Sequence, residues 1–73
     1  MFDYSKLLGK IKEVFGTQHA FAAAMQMGYV SLNRALNNKR DFDQPEMHRA
    51  CILLGIPAEE IPLYFFTPKV QKN

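Results

Sequence analysis

The chain has 73 residues, 48% of them hydrophobic and one of them a cysteine, which allows one compact domain and excludes an internal disulfide. Its longest apolar runs, Ala20 to Met25 and Cys51 to Leu54, fall far short of the roughly 20 residues that cross a bilayer; neither a secretory leader nor a common lipid anchor is visible, so a soluble, cytoplasmic protein is expected. The formal charge is +2, with six Lys/Arg against two acids in residues 1–40 and three against five in residues 41–73, so any affinity for nucleic acid must come from a few basic side chains, doubled if the protein dimerises.

Leu7, Leu8, Ile11, Val14 and Phe15 recur at helical spacing with Lys6, Lys10, Lys12 and Glu13 on the other face, which predicts an amphipathic helix from Tyr4 to Phe15. Asp3 or Ser5 can cap its start, Gly16 can take the left-handed conformation that ends it, and Thr17 offers a hydroxyl to the free N–H groups of the next helix. That second helix is expected over Gln18 to Met25, with alanines at 20, 22, 23 and 24 and with Phe21 and Met25 one turn apart, a composition suited to close helix crossing. Gln26-Met27-Gly28 interrupts the pattern. Helical spacing resumes with Tyr29, Leu32 and Leu36 on one side and Val30, Asn33, Arg34 and Asn37 toward the other. Two short helices joined by so short a turn cross steeply, as in a helix-turn-helix, the geometry that projects a helix into a DNA major groove about 12 Å wide. Asn37 to Asp41 ends the third helix, with Asn38 the candidate for the left-handed position.

Gln44 and Pro45 mark the start of a fourth helix whose stripe is Met47, Ala50, Cys51 and Leu54 and whose end is Gly55. Pro57 to Ile61 predicts a further helical turn, kept short by Pro62. Leu63, Tyr64, Phe65 and Phe66 are too apolar to be left in water and are expected either to cover the core or to form a partner or dimer surface. The expected architecture is all-α, four to five helices over residues 1–66 with a helix-turn-helix in helices two and three, followed by an extended or frayed tail over 67–73.

Thr17-Gln18, Phe21-Ala22, Met25, Leu32 and Leu36-Asn37-Asn38-Lys39 resemble the helix-turn-helix of the lambda-repressor/Cro (Xre) family, and the ending Ile-Pro-Ala-Glu-Glu-Ile…Tyr-Phe-Phe resembles that of short Cro-like proteins of temperate phages. The resemblance implies a sequence-specific regulator of a lysis/lysogeny switch that binds double-stranded operator DNA, generally as a homodimer. It implies that Tyr29, Val30, Asn33 and Arg34 face base edges, and that Thr17, Gln18, Asn37, Asn38, Lys39 and Arg40 hold the DNA backbone. Arg34 has independent physical sense in that role, since its planar fork pairs both acceptors of guanine. Two positions depart from the family pattern: Gln26 stands where the turn usually carries Gly, and Gly28 where Ser or Thr usually caps the recognition helix. A non-Gly residue at positive φ costs about 1 kcal/mol, and Gly is a tolerable cap, so the turn can still form.

The recognition surface holds one cation before Lys39. That thinness supports an alternative of another class, a phage antirepressor or modulator that binds a partner repressor protein through the helix-turn-helix surface, with Met25, Met27, Tyr29 and Val30 supplying apolar contact. An enzyme is not expected. His48 and Cys51 lie one turn apart, but His19 is the only other histidine and a structural zinc needs four ligands; the glycines are dispersed rather than gathered in a phosphate loop. No cofactor or metal is implied.

Overall fold

A computed structural model describes residues 1–70. Among them the chain forms α1 (Ser5–Phe15), α2 (Gln18–Ala24), α3 (Tyr29–Leu36), α4 (Gln44–Leu54), a 3-10 turn (Ala58–Glu60) and α5 (Ile61–Phe65), with no strand beyond a single bridge. The fold is all-α, as the periodicity predicts.

Helix α1 begins one residue later than Tyr4. Asp3 Oδ1 accepts hydrogen bonds from the Ser5 N–H at 2.9 Å and the Ser5 hydroxyl at 2.6 Å, holding the helix entry, while the Tyr4 ring turns inward against Phe42, edge to face at 5.5 Å. Leu7 and Ile11 are fully buried. Val14, expected on the buried stripe, is instead 46% exposed, because Phe15 takes the last turn against α2 with its ring 5.3 Å from Phe21. Gly16 then turns at φ 83°, and the Thr17 hydroxyl caps α2 by accepting from the Ala20 N–H at 3.1 Å.

Of the four alanines of α2, Ala22 alone lies in the core beside Phe21, which makes it the small residue where the helices cross. The turn between α2 and α3 closes as a Schellman motif on a non-glycine residue. Gln26 sits at φ 59°, its N–H donating to Ala23 O at 3.0 Å and the Met27 N–H to Ala22 O at 3.1 Å, the pairing that satisfies otherwise orphaned carbonyls. Gly28 is the extended N-cap of α3. The same motif ends α3, with Asn38 at φ 59° and Lys39 N–H donating to Arg34 O at 2.8 Å.

Helix α4 opens on a reciprocal cap. Asp43 Oδ1 accepts from the Glu46 N–H at 2.8 Å and Glu46 Oε1 accepts from the Asp43 N–H at 3.0 Å, the capping-box arrangement. Ala50, Cys51 and Leu54 face the core, and Gly55 ends the helix in the left-handed region at φ 67°. The helical turn expected over Pro57 to Ile61 is the 3-10 turn Ala58–Glu60, and α5 follows it directly, with Pro62 in its first turn, where no N–H is needed. That placement splits the apolar cluster. Tyr64 and Phe65 are 7% and 2% exposed, whereas Leu63 and Phe66 are 49% and 47% exposed. Tyr64 and Phe65 therefore belong to the core, and of the four residues expected at a partner or dimer surface Leu63 and Phe66 are the exposed ones.

The chain ends meet beside α3. Phe2 pairs with Pro68 in an antiparallel bridge, the Asp3 N–H donates to Thr67 O at 2.8 Å and the Lys69 N–H to Met1 O at 3.2 Å. Thr67 to Lys69 is thus extended and tied down rather than frayed; residues 71–73 of the expected tail lie outside the described residues. No helix among the described residues is long and apolar enough to cross a membrane.

Candidate functional site

Helix α3 presents an open outer face. Val30 is 71% exposed, Arg34, Asn37 and Lys39 are exposed, and Asn33 is half-buried. Neither Arg34 nor Lys39 makes an ion pair among the described residues. Asn37 turns its amide back on the helix, Nδ2 donating to Asn33 O at 2.8 Å.

Tyr29 is held differently from a free base-reading side chain. Its ring lies flat on His19 of α2, centroids 3.7 Å apart and planes within 4°, so one face of the phenol is covered. This stack joins the first turns of α2 and α3. From the sequence, half-burial of Tyr29 against α2 is foreseeable from the i, i+3 pattern; the histidine partner is not, because the two lie ten positions apart.

Two residues expected to hold a DNA backbone are committed inside the fold. Asn38 bonds the Phe2 backbone from both ends of its amide, Oδ1 accepting from the Phe2 N–H at 3.0 Å and Nδ2 donating to Phe2 O at 2.9 Å. Arg40 forks onto Glu46, Nη1 to Oε1 at 2.9 Å and Nη2 to Oε2 at 3.0 Å, while Nε donates to Ser31 O at 3.2 Å and Nη1 also to Asp41 O at 2.8 Å. The pair holds the Glu46 carboxylate below its ordinary value, first through the Arg40 hydrogen bonds and then through the Asp43 backbone bond, against the opposing effect of burial. Thr17 uses its hydroxyl as a cap, and Gln18 is half-buried with Oε1 lacking a hydrogen-bond partner among the described residues. Arg34 and Lys39 are left as the exposed cations of α3 and its exit.

One brace was missed by sequence reasoning. Arg49 of α4 reaches the carboxyl end of α2, Nη1 donating to Met25 O at 2.7 Å. Met25 is the C-cap residue of α2, so a cation that looks like surface charge ties α4 to the entrance of the α2–α3 turn. No local pattern signals it across 24 positions.

The surface that results is short of charge. From Thr17 to Asn33 the chain carries no Asp, Glu, Lys or Arg, and that span includes all of α2, the turn and the first half of α3. Elsewhere, Cys51 is buried, which pushes its thiol up, while His48 is exposed on α4. Among the described residues no three His, Cys, Asp or Glu side chains gather as metal ligands would.

A family model described as "Protein of unknown function (DUF739)" matches residues 1–68. The chain belongs to the DUF739 family. This membership corrects the lambda-repressor/Cro (Xre) resemblance: the residues that carry it, such as Thr17, Ala22 and Leu32, are a cap and core positions that any steep crossing of two short helices needs, so they describe the motif's geometry and not its lineage. Among solved structures, the DUF739 chain is similar to the solution structure of the modulator of repression (MOR) of the temperate bacteriophage TP901-1 from Lactococcus lactis, with 41% identity, a TM-score of 0.81 and coverage of 96% of this chain and 95% of that one. The search of curated proteins gave no match.

Proposed function

We propose that this DUF739 chain is a modulator of repression in a temperate-phage switch, and that it works by docking on a partner repressor protein with the outer face of α2 and α3. The observation that carries the reading is the uncharged span from Thr17 to Asn33. Charged residues are depleted at the centre of protein interfaces, while Met, Tyr and Arg are enriched; Val30 supplies the exposed apolar centre, the His19–Tyr29 stack a rigid aromatic shoulder, Met27 a half-buried adaptable side chain, and Arg34 a cation on the following turn. The likeness to the TP901-1 modulator, which runs through nearly the whole of both chains, supports the same assignment.

Direct operator binding is the weaker reading on physical grounds. A phosphate-tracking motif neutralises several phosphates, and with Asn38 and Arg40 held internally the α3 face offers Arg34 and Lys39. The proposal assigns no catalysis, since Cys51 is a buried thiol whose ionisation is disfavoured.

Calorimetric titration against the repressor encoded in the same switch tests the reading. A saturable heat is expected with the unmodified chain. Val30→Asp, which places a charge at the centre of the face without touching the core, is expected to weaken binding by at least tenfold while leaving the thermal midpoint unchanged. No heat with the unmodified chain overturns the proposal.

A further inference from the structure

A second surface lies where the chain ends meet. Phe2, Tyr4, Phe42, Phe66, Met47 and Asp41 line a groove of about 240 Å³, below the 300 to 1,000 Å³ typical of a site for a small organic ligand and on the scale of one inserted side chain. Its rings meet edge to face, Phe2 on Phe66 at 5.7 Å and 86° and Tyr4 on Phe42 at 5.5 Å and 85°. An edge-to-face pair leaves at least one ring with both faces uncovered by its partner, and those faces carry the negative end of the quadrupole. Tyr4 and Phe42 are buried, Phe42 also meeting Phe65 edge to face at 5.4 Å, so the ring surface open to solvent in the groove is that of Phe66, half exposed, and Phe2, half-buried.

The groove lining holds one charge, and it is negative. Asp41 makes no ion pair among the described residues, because the neighbouring Arg40 turns to Glu46. The Asp41 charge is felt inside the groove: the Tyr4 hydroxyl is raised first by burial and then by Asp41. Ring faces and an unpaired carboxylate select a cation, and among protein cations the guanidinium most often takes such a place. A repressor that holds DNA carries Lys and Arg on its phosphate-facing side, so a partner of that class brings the side chain the groove lacks.

We propose that this groove receives an arginine side chain of the docked repressor, its guanidinium over the aromatic faces and paired with Asp41. The source of the arginine rests on the protein-docking reading above; the groove's preference for a guanidinium does not, and the two are tested separately. Titration of the labelled full chain with N-acetyl-arginine amide, followed by NMR, is expected to give saturable shifts at the ring protons of Phe2, Phe42 and Phe66. N-acetyl-citrulline amide, of the same shape without charge, is expected to give none, and Asp41→Asn to weaken the arginine shifts three- to tenfold. The Asp41 carboxylate makes no hydrogen bond among the described residues, so this variant leaves the fold intact. Equal shifts with citrulline, or arginine shifts untouched by Asp41→Asn, overturn the proposal in favour of plain apolar packing. In calorimetry with the repressor, Asp41→Asn is expected to lower affinity by a similar factor. An unchanged affinity there, with Val30→Asp still disruptive, overturns the groove's role and leaves the docking reading standing; no binding by the unmodified chain overturns the docking reading, and the arginine titration then decides whether the groove selects a guanidinium.

Discussion

Gln26 shows how a single residue can be legible in kind and not in consequence. The sequence places a non-glycine where the turn needs positive φ, and the structure puts it there at φ 59°. The strain is about 1 kcal/mol for an L-residue, partly offset in a glycine variant by the larger entropy of its unfolded chain. Gln26→Gly should therefore raise stability by up to about 1 kcal/mol, read as a rise of a few degrees in the melting midpoint for a domain of this size; a fall would mean that the Gln26 side chain contributes contacts of its own. Asn38 has the same backbone geometry but a further duty, because its amide binds the Phe2 backbone. Asn38→Gly keeps the conformation and relieves up to about 1 kcal/mol of the same backbone strain, but it loses two hydrogen bonds, each worth about 0.5 to 1.5 kcal/mol, so denaturant unfolding should show a net loss of up to about 2 kcal/mol. Here the sequence misleads: an asparagine in a left-handed turn is easy to foresee, but its bond to residue 2 is long-range, and the role in holding DNA that the resemblance implied does not fit an amide already satisfied.

At the scale of elements, caps and stripes are what the sequence reveals best. Thr17, Gly16 and Gly55 do what their residue types predict because their duties lie within one turn of themselves. The Asp43–Glu46 box is equally local and could have been found from the Asp-x-x-Glu spacing before Met47. What it joins is not local, since Glu46 also holds Arg40 and through it Ser31 of α3. Glu46 therefore couples the first half of α3, through Arg40, to the start of α4, and its effect on stability has a definite sign with pH. Its folded pKa lies below the ordinary 4.5, so the stabilisation is complete above the unfolded value and is lost as pH falls through the folded one. Glu46→Gln should destabilise the protein near neutral pH, and the gap between variant and unmodified chain should close below about pH 4.5; a gap constant from pH 7 to pH 3 would exclude this ionic contribution. The end of α2 is likewise tied to α4 by the bond from Arg49 to Met25 O, a tertiary contact that no short window of the sequence contains.

For the molecule as a whole, the all-α architecture is legible in the sequence, whereas which side chains of α3 stand free is not. The expected recognition surface holds one cation, Arg34, before Lys39; the fold shows that Arg40 is engaged with Glu46, that Tyr29 is stacked on His19 and that Val30 stands in the open. A surface of that kind gives a weak response to salt. Any residual DNA binding through Arg34 and Lys39 should follow a log–log salt slope of about −2, at roughly 0.9 per phosphate contact, whereas a slope several-fold steeper would identify a DNA reader. The most direct test of the protein-docking account is a fluorescence-anisotropy competition in which the repressor is first bound to its labelled operator and the DUF739 chain is then titrated in. Loss of the high-anisotropy complex, with no signal from the chain and labelled DNA alone, is the predicted result. An undisturbed repressor complex, or tight salt-sensitive binding of the chain itself to the operator, would contradict it.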